Sequence, residues 1–379
     1  MQENGMSEEE ILKRLFEARG KDWKYSDGKI LSSMCTSPHP FAKGVYDLFS
    51  NTNLGDAGLF KGTKELENEA VGMLGSLLGK ADATGFIISG GTEANIMALW
   101  IARNMKQGGN PEIIVPETAH FSIGKAADLL GLKLIKAKVK EHCVDVSDVE
   151  SKVNEDTVAI VGIAGSTEYG TIDDIETLSQ IAVKEGIFLH VDAAFGGLVI
   201  PFLKELGYET KGFDFSIDGV SSITVDPHKM GLVPIPSGCI LLRDIGLLRY
   251  IETVSPYLIE KRQHTLIGTR PGASVATTYA VLKHMGREGY RAVVKRCMDR
   301  TMRLHSGLEG MGMDAIAPTM NVLVFSHETQ DEISEGLIEK GWLISRTRKG
   351  EIRLVIMPHV KDEVVDGFLG DLKGILEGL

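Results

Sequence analysis

The chain has 379 residues, of which 43% are hydrophobic and 25% are charged, a balance typical of globular proteins rather than of disordered or membrane proteins. A chain of this length can bury a large core and is expected to divide into two domains, or into one large domain with an appendage. Its 52 acidic and 41 basic side chains give a net charge of −11, so neither nucleic acid nor a membrane surface is an expected partner.

The first twenty residues are polar and amphipathic, which predicts a surface helix rather than a signal peptide. No apolar run approaches the roughly 18 residues that a membrane span requires. Four cysteines are scattered without the spacing of metal ligands, at positions Cys35, Cys143, Cys239 and Cys297. They are interpreted as reduced thiols, which predicts no metal site and a cytoplasmic location.

Between about residues 65 and 245, helical patterns alternate with short β-branched runs, which predicts βαβ units and a mainly parallel sheet. Seven strands are expected, at residues 85–89, 112–116, 133–139, 157–165, 187–194, 222–227 and 238–244. After about residue 275 comes a long helical stretch and then two strand-like runs, at 321–326 and 351–358, which indicate a smaller α+β domain.

Three regions are therefore predicted. They are an N-terminal helical or extended segment (1–55), a large domain (56–275) and a small C-terminal domain (276–379). No low-complexity tract or Pro/Ser-rich linker is present, so a continuous helix is expected to join the two domains.

The first motif that indicates chemistry is SGGTEAN, residues 89–95. A helix is expected to begin just after its GGT, which places Gly90, Gly91 and Thr92 at a helix N-terminus, where backbone N–H groups and the helix dipole favour phosphate. A plain strand-to-helix turn is the alternative interpretation. The motif lacks both GxxxxGK[ST] and GxGxxG, so a nucleoside triphosphate or a dinucleotide has little support.

The second motif, HVDAAFGG, places Asp192 at the end of an apolar run that predicts a buried strand. A buried carboxylate is costly without a cationic partner, and a protonated pyridine nitrogen would be such a partner. A helix cap or a structural ion pair is the alternative.

The third motif, SITVDPHKMG, brings Asp226, His228 and Lys229 together after another β-branched run. Low-dielectric surroundings would lower the pKa of Lys229 and make its amine a nucleophile towards an aldehyde. In other proteins a lysine after a strand is usually an exposed residue without a chemical role. The order of the three motifs favours a catalytic role for this lysine. All three are expected at the carboxyl edge of one sheet, which is where these folds bind ligands.

A phosphate cup, an acid for a ring nitrogen and a lysine that forms a Schiff base are together the needs of one cofactor, pyridoxal 5'-phosphate. The chain also resembles a known family, the group II pyridoxal-dependent decarboxylases of the aspartate-aminotransferase-like fold (fold type I). The likeness is greatest to the archaeal L-tyrosine/L-aspartate decarboxylases and covers nearly the whole chain. It is carried by SMCTSPHP, NTNLGDAGLFKGTKELE, SGGTEAN, ETAHFS, HVDAAFGG, DPHKMG, GTRPG and IRLVIMPHV.

The resemblance implies a role for each matching position. Lys229 would bind the cofactor, Asp192 would pair with the pyridine nitrogen, and His120 and Ala194 would cover the two faces of the ring. His228, Gly91 and Thr92 would hold the phosphate, and Ser166 and Thr167 would lie near the ring hydroxyl. The GTRPG stretch, with Gly268 and Thr269, would reach the phosphate site of a neighbouring subunit, which implies an obligate homodimer; a simple Pro-Gly turn is the alternative.

Four further residues are candidates. Tyr257 stands roughly where relatives carry a mobile-loop tyrosine that protonates the product carbon, and Lys229 is the other candidate acid. Arg353 stands where fold relatives place an arginine for a substrate carboxylate, although an ordinary ion pair is also open. His39 and Asn53 are pocket candidates by resemblance alone.

The predicted function is decarboxylation of an L-amino acid with release of CO2. The expected reactions are L-tyrosine to tyramine and L-aspartate to β-alanine, with glutamate left open. Tyramine and β-alanine would feed methanofuran and coenzyme A biosynthesis. Alternatives on the same fold are an aminotransferase or a sphingosine-phosphate-lyase-like enzyme, the latter disfavoured because no membrane anchor is found. A phosphate-binding protein without catalysis is a further alternative, disfavoured because a reactive lysine beside a buried acid would then have no use.

Overall fold

The computed structural model describes residues 1–106 and 108–379, which form eleven α-helices, fifteen strands and short 3-10 turns. The helices are α1 (Glu8–Arg19), α2 (Pro40–Leu48), α3 (Lys61–Leu77), α4 (Gly91–Met105), α5 (Phe121–Leu130), α6 (Val146–Lys152), α7 (Ile175–Glu185), α8 (Ile200–Glu205), α9 (Gly272–Gly310), α10 (Gln330–Glu339) and α11 (Asp362–Leu376).

The strands are β1 (Thr84–Ile88), β2 (Glu112–Pro116), β3 (Lys133–Ala137), β4 (Val139–Lys140), β5 (Cys143–Val144), β6 (Thr157–Ile163), β7 (Phe188–Asp192), β8 (Val220–Val225), β9 (Gly238–Leu242), β10 (Thr253–Val254), β11 (Arg262–Gln263), β12 (Asp314–Ala315), β13 (Val322–Ser326), β14 (Ser345–Arg346) and β15 (Ile352–Val355). Strands β4 with β5 and β10 with β11 form two small hairpin sheets.

The central element is a seven-stranded sheet in the order β1-β9-β8-β7-β6-β2-β3. Strands β8, β7, β6, β2 and β3 pair in parallel, and only β9 runs against its neighbours. Strands β2, β6, β7 and β9 are buried along their whole length, as the near-continuous apolar runs predicted, because helices cover both faces. The mainly parallel seven-stranded sheet is therefore confirmed.

Two apolar clusters fill the space between this sheet and its helices, one on each face. A third cluster lies between the antiparallel sheet β12-β13-β15-β14 and helices α9 to α11. The short strands β12 and β14, of two residues each, were not predicted, since two residues carry no periodicity.

Helix α9 spans the predicted junction between residues 275 and 276, so a helix does connect the two parts. The domain boundary itself stays a prediction. The helix is interrupted at Gly286, whose φ of 55° and ψ of −175° lie outside the helical region in a conformation that L side chains rarely adopt.

Helix α1 has no buried residue, as expected of a surface helix, and Ser7 caps it through a capping box with Glu10. In the part of the chain that the structure describes, no helix is both long and apolar enough to cross a membrane.

Candidate active site

The motifs meet because the parallel strands of the large sheet end at one edge. A cavity of about 360 Å³ lies there, beyond the ends of β1, β2, β6, β7 and β8. Eight of the residues predicted for the site line it: Gly91, Thr92, His120, Thr167, Asp192, Ala194, His228 and Lys229. The edge and the grouping are those expected for a ligand site in an open α/β sheet.

Lys229 follows β8 in a turn that also contains Asp226. Its Nζ donates to Asp226 Oδ2 over 2.9 Å, and the Asp226 side chain is buried. Burial alone would lower the pKa of Lys229, but the carboxylates of Asp226 and Asp192 outweigh burial and hold that pKa above its ordinary value. The predicted lowering is therefore wrong, because a lysine with an acid three residues before it in a tight turn gains an ion pair.

Asp226 and His228 complete this turn. His228 Nδ1 lies 2.5 Å from the Ser237 carbonyl, and its Nε2 is 3.8 Å from Asp226 Oδ2. Burial lowers the pKa of His228, so the ring is neutral near pH 7. The other carboxylate oxygen of Asp226, Oδ1, is buried and has no hydrogen-bond partner among the described residues. An orphaned acceptor on a cavity wall is a group that a ligand could satisfy.

Asp192 is the last residue of β7 and is 8% exposed. Its Oδ2 accepts from Asn95 Nδ2 over 2.9 Å, and its Oδ1 accepts from the Ala194 backbone N–H over 3.1 Å. Both donors are uncharged, so they orient the carboxylate without neutralising it. A buried acid that borders a cavity is suited to bind a cationic ring nitrogen.

Helix α4 begins at Gly91, two residues earlier than expected, so Gly91 and Thr92 form its first turn rather than preceding it. The N–H groups of a first helical turn have no partner within the helix and can bind an anion. A Cβ on Gly91 would lie 3.0 Å from Asp226 Oδ2 and 3.2 Å from the Ala194 side chain. The glycine is therefore needed for close packing of the helix start against the strand ends.

His120 follows β2 and caps α5, since its Nδ1 accepts from the Ser122 N–H over 3.3 Å. Burial lowers the pKa of His120, an effect that Asp192 partly opposes. The loop before His120 is fixed from the small sheet, because the Arg348 guanidinium donates to the carbonyls of Glu117 and Ala119. The loop that carries His120 is thus held in place by a residue from the turn between β14 and β15.

Thr167 lines the cavity, but Ser166 does not. The Ser166 hydroxyl lies 2.8 Å from Thr171 Oγ1 and also accepts from the Thr171 N–H. Its hydrogen bonds therefore stabilise the loop in which it lies. The Thr167 carbonyl accepts from Arg353 Nε over 2.6 Å, which places the Arg353 guanidinium directly behind the cavity wall.

Besides Ser166 and Arg353, five further candidates lie outside the cavity in a single chain. Gly268 and Thr269 are exposed, and Tyr257 is 85% exposed. His39 caps α2 and packs its ring 4.9 Å from that of His284. Asn53 accepts from the N–H groups of Gly55 and Arg270, so it fixes the start of the GTRPG turn rather than lining the cavity.

Sequence reasoning assigned no role to several residues that line the cavity, among them Met34, Asn95, Thr118 and Asp226. Asp226 and Asn95 stand inside motifs that were recognised for other residues, so a complete accounting of polar side chains in those motifs would have found them. Met34 and Thr118 stand inside the motifs SMCTSPHP and ETAHFS, but the motifs alone do not indicate which of their side chains reach this edge.

Comparisons with known proteins agree with this geometry. Residues 61–325 match the pyridoxal-dependent decarboxylase conserved domain. The chain is 53% identical to a probable L-tyrosine/L-aspartate decarboxylase of Methanothermobacter thermautotrophicus, over 93% of this chain and 98% of that protein. It is 48% identical to an L-aspartate decarboxylase of Thermococcus kodakarensis, over 100% of this chain and 99% of that protein.

Among solved structures, the chain is similar to a sphingosine-1-phosphate lyase of Burkholderia pseudomallei, with a TM-score of 0.92 and 28% identity, over 100% of this chain and 92% of that one. The fold is thus the aspartate-aminotransferase-like fold type I that the resemblance implied. The matched domain covers more than half of the chain, and the relatives align over almost their full length. The chain belongs to the pyridoxal-dependent decarboxylase family.

Proposed function

We propose that this protein is a pyridoxal-phosphate-dependent decarboxylase of L-tyrosine, L-aspartate or both, which releases tyramine or β-alanine with CO2. The observation that carries the proposal is the cavity that joins Lys229, Asp192, His120 and the start of α4 at one sheet edge. The names of the relatives support these two substrates. The products would serve methanofuran and coenzyme A biosynthesis, and the reduced cysteines favour a cytoplasmic location.

The residues present fit pyridoxal phosphate. The cavity offers a primary amine, a buried carboxylate and a helix N-terminus, and two polar atoms of its wall, Thr118 Oγ1 and Asp226 Oδ1, are buried with no partner in residues 1–106 and 108–379. When bound, pyridoxal phosphate supplies an aldehyde for amines and a ring that accepts the electrons released as a carboxylate leaves.

Each residue of the cavity would then have a separate role in binding the cofactor and in catalysis. The amine of Lys229 would hold the cofactor covalently, and Asp226, whose Oδ2 lies 2.9 Å from that amine, would orient it. The carboxylate of Asp192 would keep the ring nitrogen protonated, and the amides of Gly91 and Thr92 with His228 would bind the phosphate. His120 and Ala194 would cover the two ring faces and exclude water. Tyr257 or Lys229 would supply the proton that replaces CO2.

Arg353 is the residue we propose for a substrate carboxylate. Its Nη1 donates to the Ser32 carbonyl and to Ser345 Oγ, whereas its buried Nη2 has no partner among the described residues. Burial lowers the pKa of Arg353 to about 10, so the guanidinium still carries its charge near pH 7. The nearby Glu168 pairs instead with Arg348 over 3.0 Å. A buried charge with a free donor favours an anionic ligand.

Replacing Arg353 by methionine should raise the KM for the amino acid about 10- to 100-fold, because a charge-assisted hydrogen bond to the substrate is lost. Steady-state kinetics at saturating cofactor would measure this. Arg346→Met is the matched control, since Arg346 lies on the same small sheet but pairs with Asp331 at the surface. An unchanged KM in the Arg353 variant would contradict the substrate role.

We propose that the active enzyme is a homodimer with shared sites. Gly268 and Thr269 stand exposed next to Arg270, which a buried ion pair with Glu67 fixes in its own chain. Apolar side chains are exposed on α1 and around this turn: Ile11, Leu12, Leu15, Phe16, Leu59, Ile259, Leu266 and Ile267. A dimer interface would bury such surface. Light scattering should give twice the chain mass, and the mass of one chain would contradict the proposal. His39 and Asn53 stay pocket predictions that depend on the second subunit.

The function is tested by incubating the purified protein and pyridoxal phosphate with L-tyrosine, L-aspartate or L-glutamate. Amine and CO2 are quantified in each case. Equal amounts of tyramine and CO2, or of β-alanine and CO2, would support the proposal and identify the substrate. Conversion to a keto acid without CO2 would indicate an aminotransferase, and no turnover of any amino acid would contradict the proposal.

A further inference from the structure

Asn95 is a buried amide at the centre of the site, to which sequence reasoning assigned no role. It is 1% exposed and lies in the second turn of α4. Its Nδ2 donates to Asp192 Oδ2 and to Ser122 Oγ, both over 2.9 Å. Its Oδ1 accepts from Thr224 Oγ1 over 2.7 Å and has His190 Nε2 at 2.9 Å. An asparagine amide has two donor hydrogens and two acceptor lone pairs, so all four are engaged.

The orientation of this amide is determined by its neighbours. Burial lowers the pKa of His190 to about 4, against the opposing effect of Asp192, so the ring is neutral and has one proton. Because Asn95 Oδ1 can only accept, that proton lies on Nε2, and Nδ1 accepts from Ser222 Oγ over 2.7 Å. The opposite amide orientation would place an oxygen against the Asp192 carboxylate and is repulsive.

The same network reaches His120. Ser122 Oγ accepts from Asn95, so its own hydrogen is free for His120 Nδ1, which lies 2.9 Å away. The Ser122 backbone N–H also points to His120 Nδ1, over 3.3 Å. A nitrogen that accepts two hydrogen bonds carries no proton, so the proton of neutral His120 lies on Nε2.

We propose that Asn95 is a positioning residue of this site, which orients the Asp192 carboxylate and sets the His120 tautomer through one directional hydrogen-bond network. Its catalytic consequence rests on the proposed decarboxylase function. The network itself is a property of the chain, and it runs in one direction from Ser222 and Thr224 through Asn95 to Asp192 and His120.

The physical consequence concerns both residues that are predicted to contact the cofactor ring. An amide N–H donates a hydrogen bond but does not transfer its proton, so Asn95 holds one Asp192 oxygen in place without giving up a proton to it. The tautomer of His120 decides which ring edge can donate towards the cavity. One side chain therefore sets the charge partner and the stacking partner of the ring together.

The experiment compares Asn95→Leu, which preserves size but removes all four hydrogen bonds, with Ser122→Ala, which removes only the branch to His120. Asn321→Leu is the matched control, since Asn321 is also a buried asparagine and its amide donates to the Ile356 carbonyl over 3.0 Å. Nitrogen NMR of histidine-labelled protein without cofactor reports the tautomer, and the loss of a signal in His120→Gln assigns it.

We expect His120 to be protonated at Nε2 in the wild type and in Asn321→Leu, and to become a mixture of tautomers in Asn95→Leu and Ser122→Ala. With cofactor, kcat of Asn95→Leu should fall about 10- to 100-fold while KM changes little. Thermal unfolding of each variant tests whether it is folded. If Asn95→Leu does not fold, the NMR comparison can still be made with Ser122→Ala, which loses only one heavy atom.

Two results separate this inference from the proposed function. An unchanged His120 tautomer in both variants would overturn the inference, whatever the activity. A changed tautomer in the variants, together with a wild-type protein that decarboxylates no amino acid, would support the network and overturn the proposed function instead.

Discussion

Lys229→Ala should abolish amine production, with kcat lower by on the order of 10⁴-fold or more, because no other primary amine lines the described cavity. The visible absorption band of the covalently bound cofactor should disappear with it. Borohydride treatment of the wild type with pyridoxal phosphate should attach the cofactor to the peptide that contains Lys229, as mass spectrometry would measure.

The control for this variant is Lys184→Ala, which removes an exposed lysine on α7 that pairs only at the surface. It should retain wild-type kcat and the same modified peptide. Cofactor attached to another lysine, or turnover that persists in Lys229→Ala, would be incompatible with the assigned role.

Asp192→Asn should lower kcat by on the order of 10²- to 10³-fold, since the shape of the side chain is preserved but its negative charge is lost. A neutral amide cannot keep a pyridine nitrogen protonated, so the ring would accept electrons poorly. The variant should also bind pyridoxal phosphate more weakly. Stopped-flow or steady-state kinetics at several cofactor concentrations would separate these two effects.

Asp173→Asn is the control for this second prediction. Asp173 is a buried carboxylate that accepts from the backbone N–H groups of Val144 and Ile163, and burial raises its pKa to about 6. Its replacement should lower the thermal stability and leave kcat nearly unchanged. If Asp192→Asn resembled Asp173→Asn in both respects, Asp192 would be a structural residue only.

The differences between expectation and structure have identifiable causes. The pKa of Lys229 is raised rather than lowered because Asp226, three residues earlier, folds back onto its amine in the turn after β8. Ser166 was grouped with Thr167 as a cofactor residue, yet the Ser166 hydroxyl bonds to Thr171 within the same turn, and only Thr167 lines the cavity.

The sequence by itself determined the sheet, the edge where the site lies and the cofactor. A strand that helices cover on both faces needs apolar side chains on both faces, so apolar runs bounded by glycine-rich turns indicate such strands. Parallel strands in one sheet bring their carboxyl ends to the same edge. Lys229, Asp192 and the helix start of SGGTEAN follow three such strands, so their meeting was predictable from chain order alone.

Only the tertiary structure decided how these groups are held. The partners of Asn95 come from α5, β7 and β8, at separations of 27 to 129 residues along the chain. The position of the Arg353 guanidinium likewise depends on Ser32, which is 321 residues away along the chain, as well as on Ser345 of the neighbouring strand β14. Hydrogen bonds act over about 3 Å in space, and local sequence patterns carry no information on such distances between remote residues.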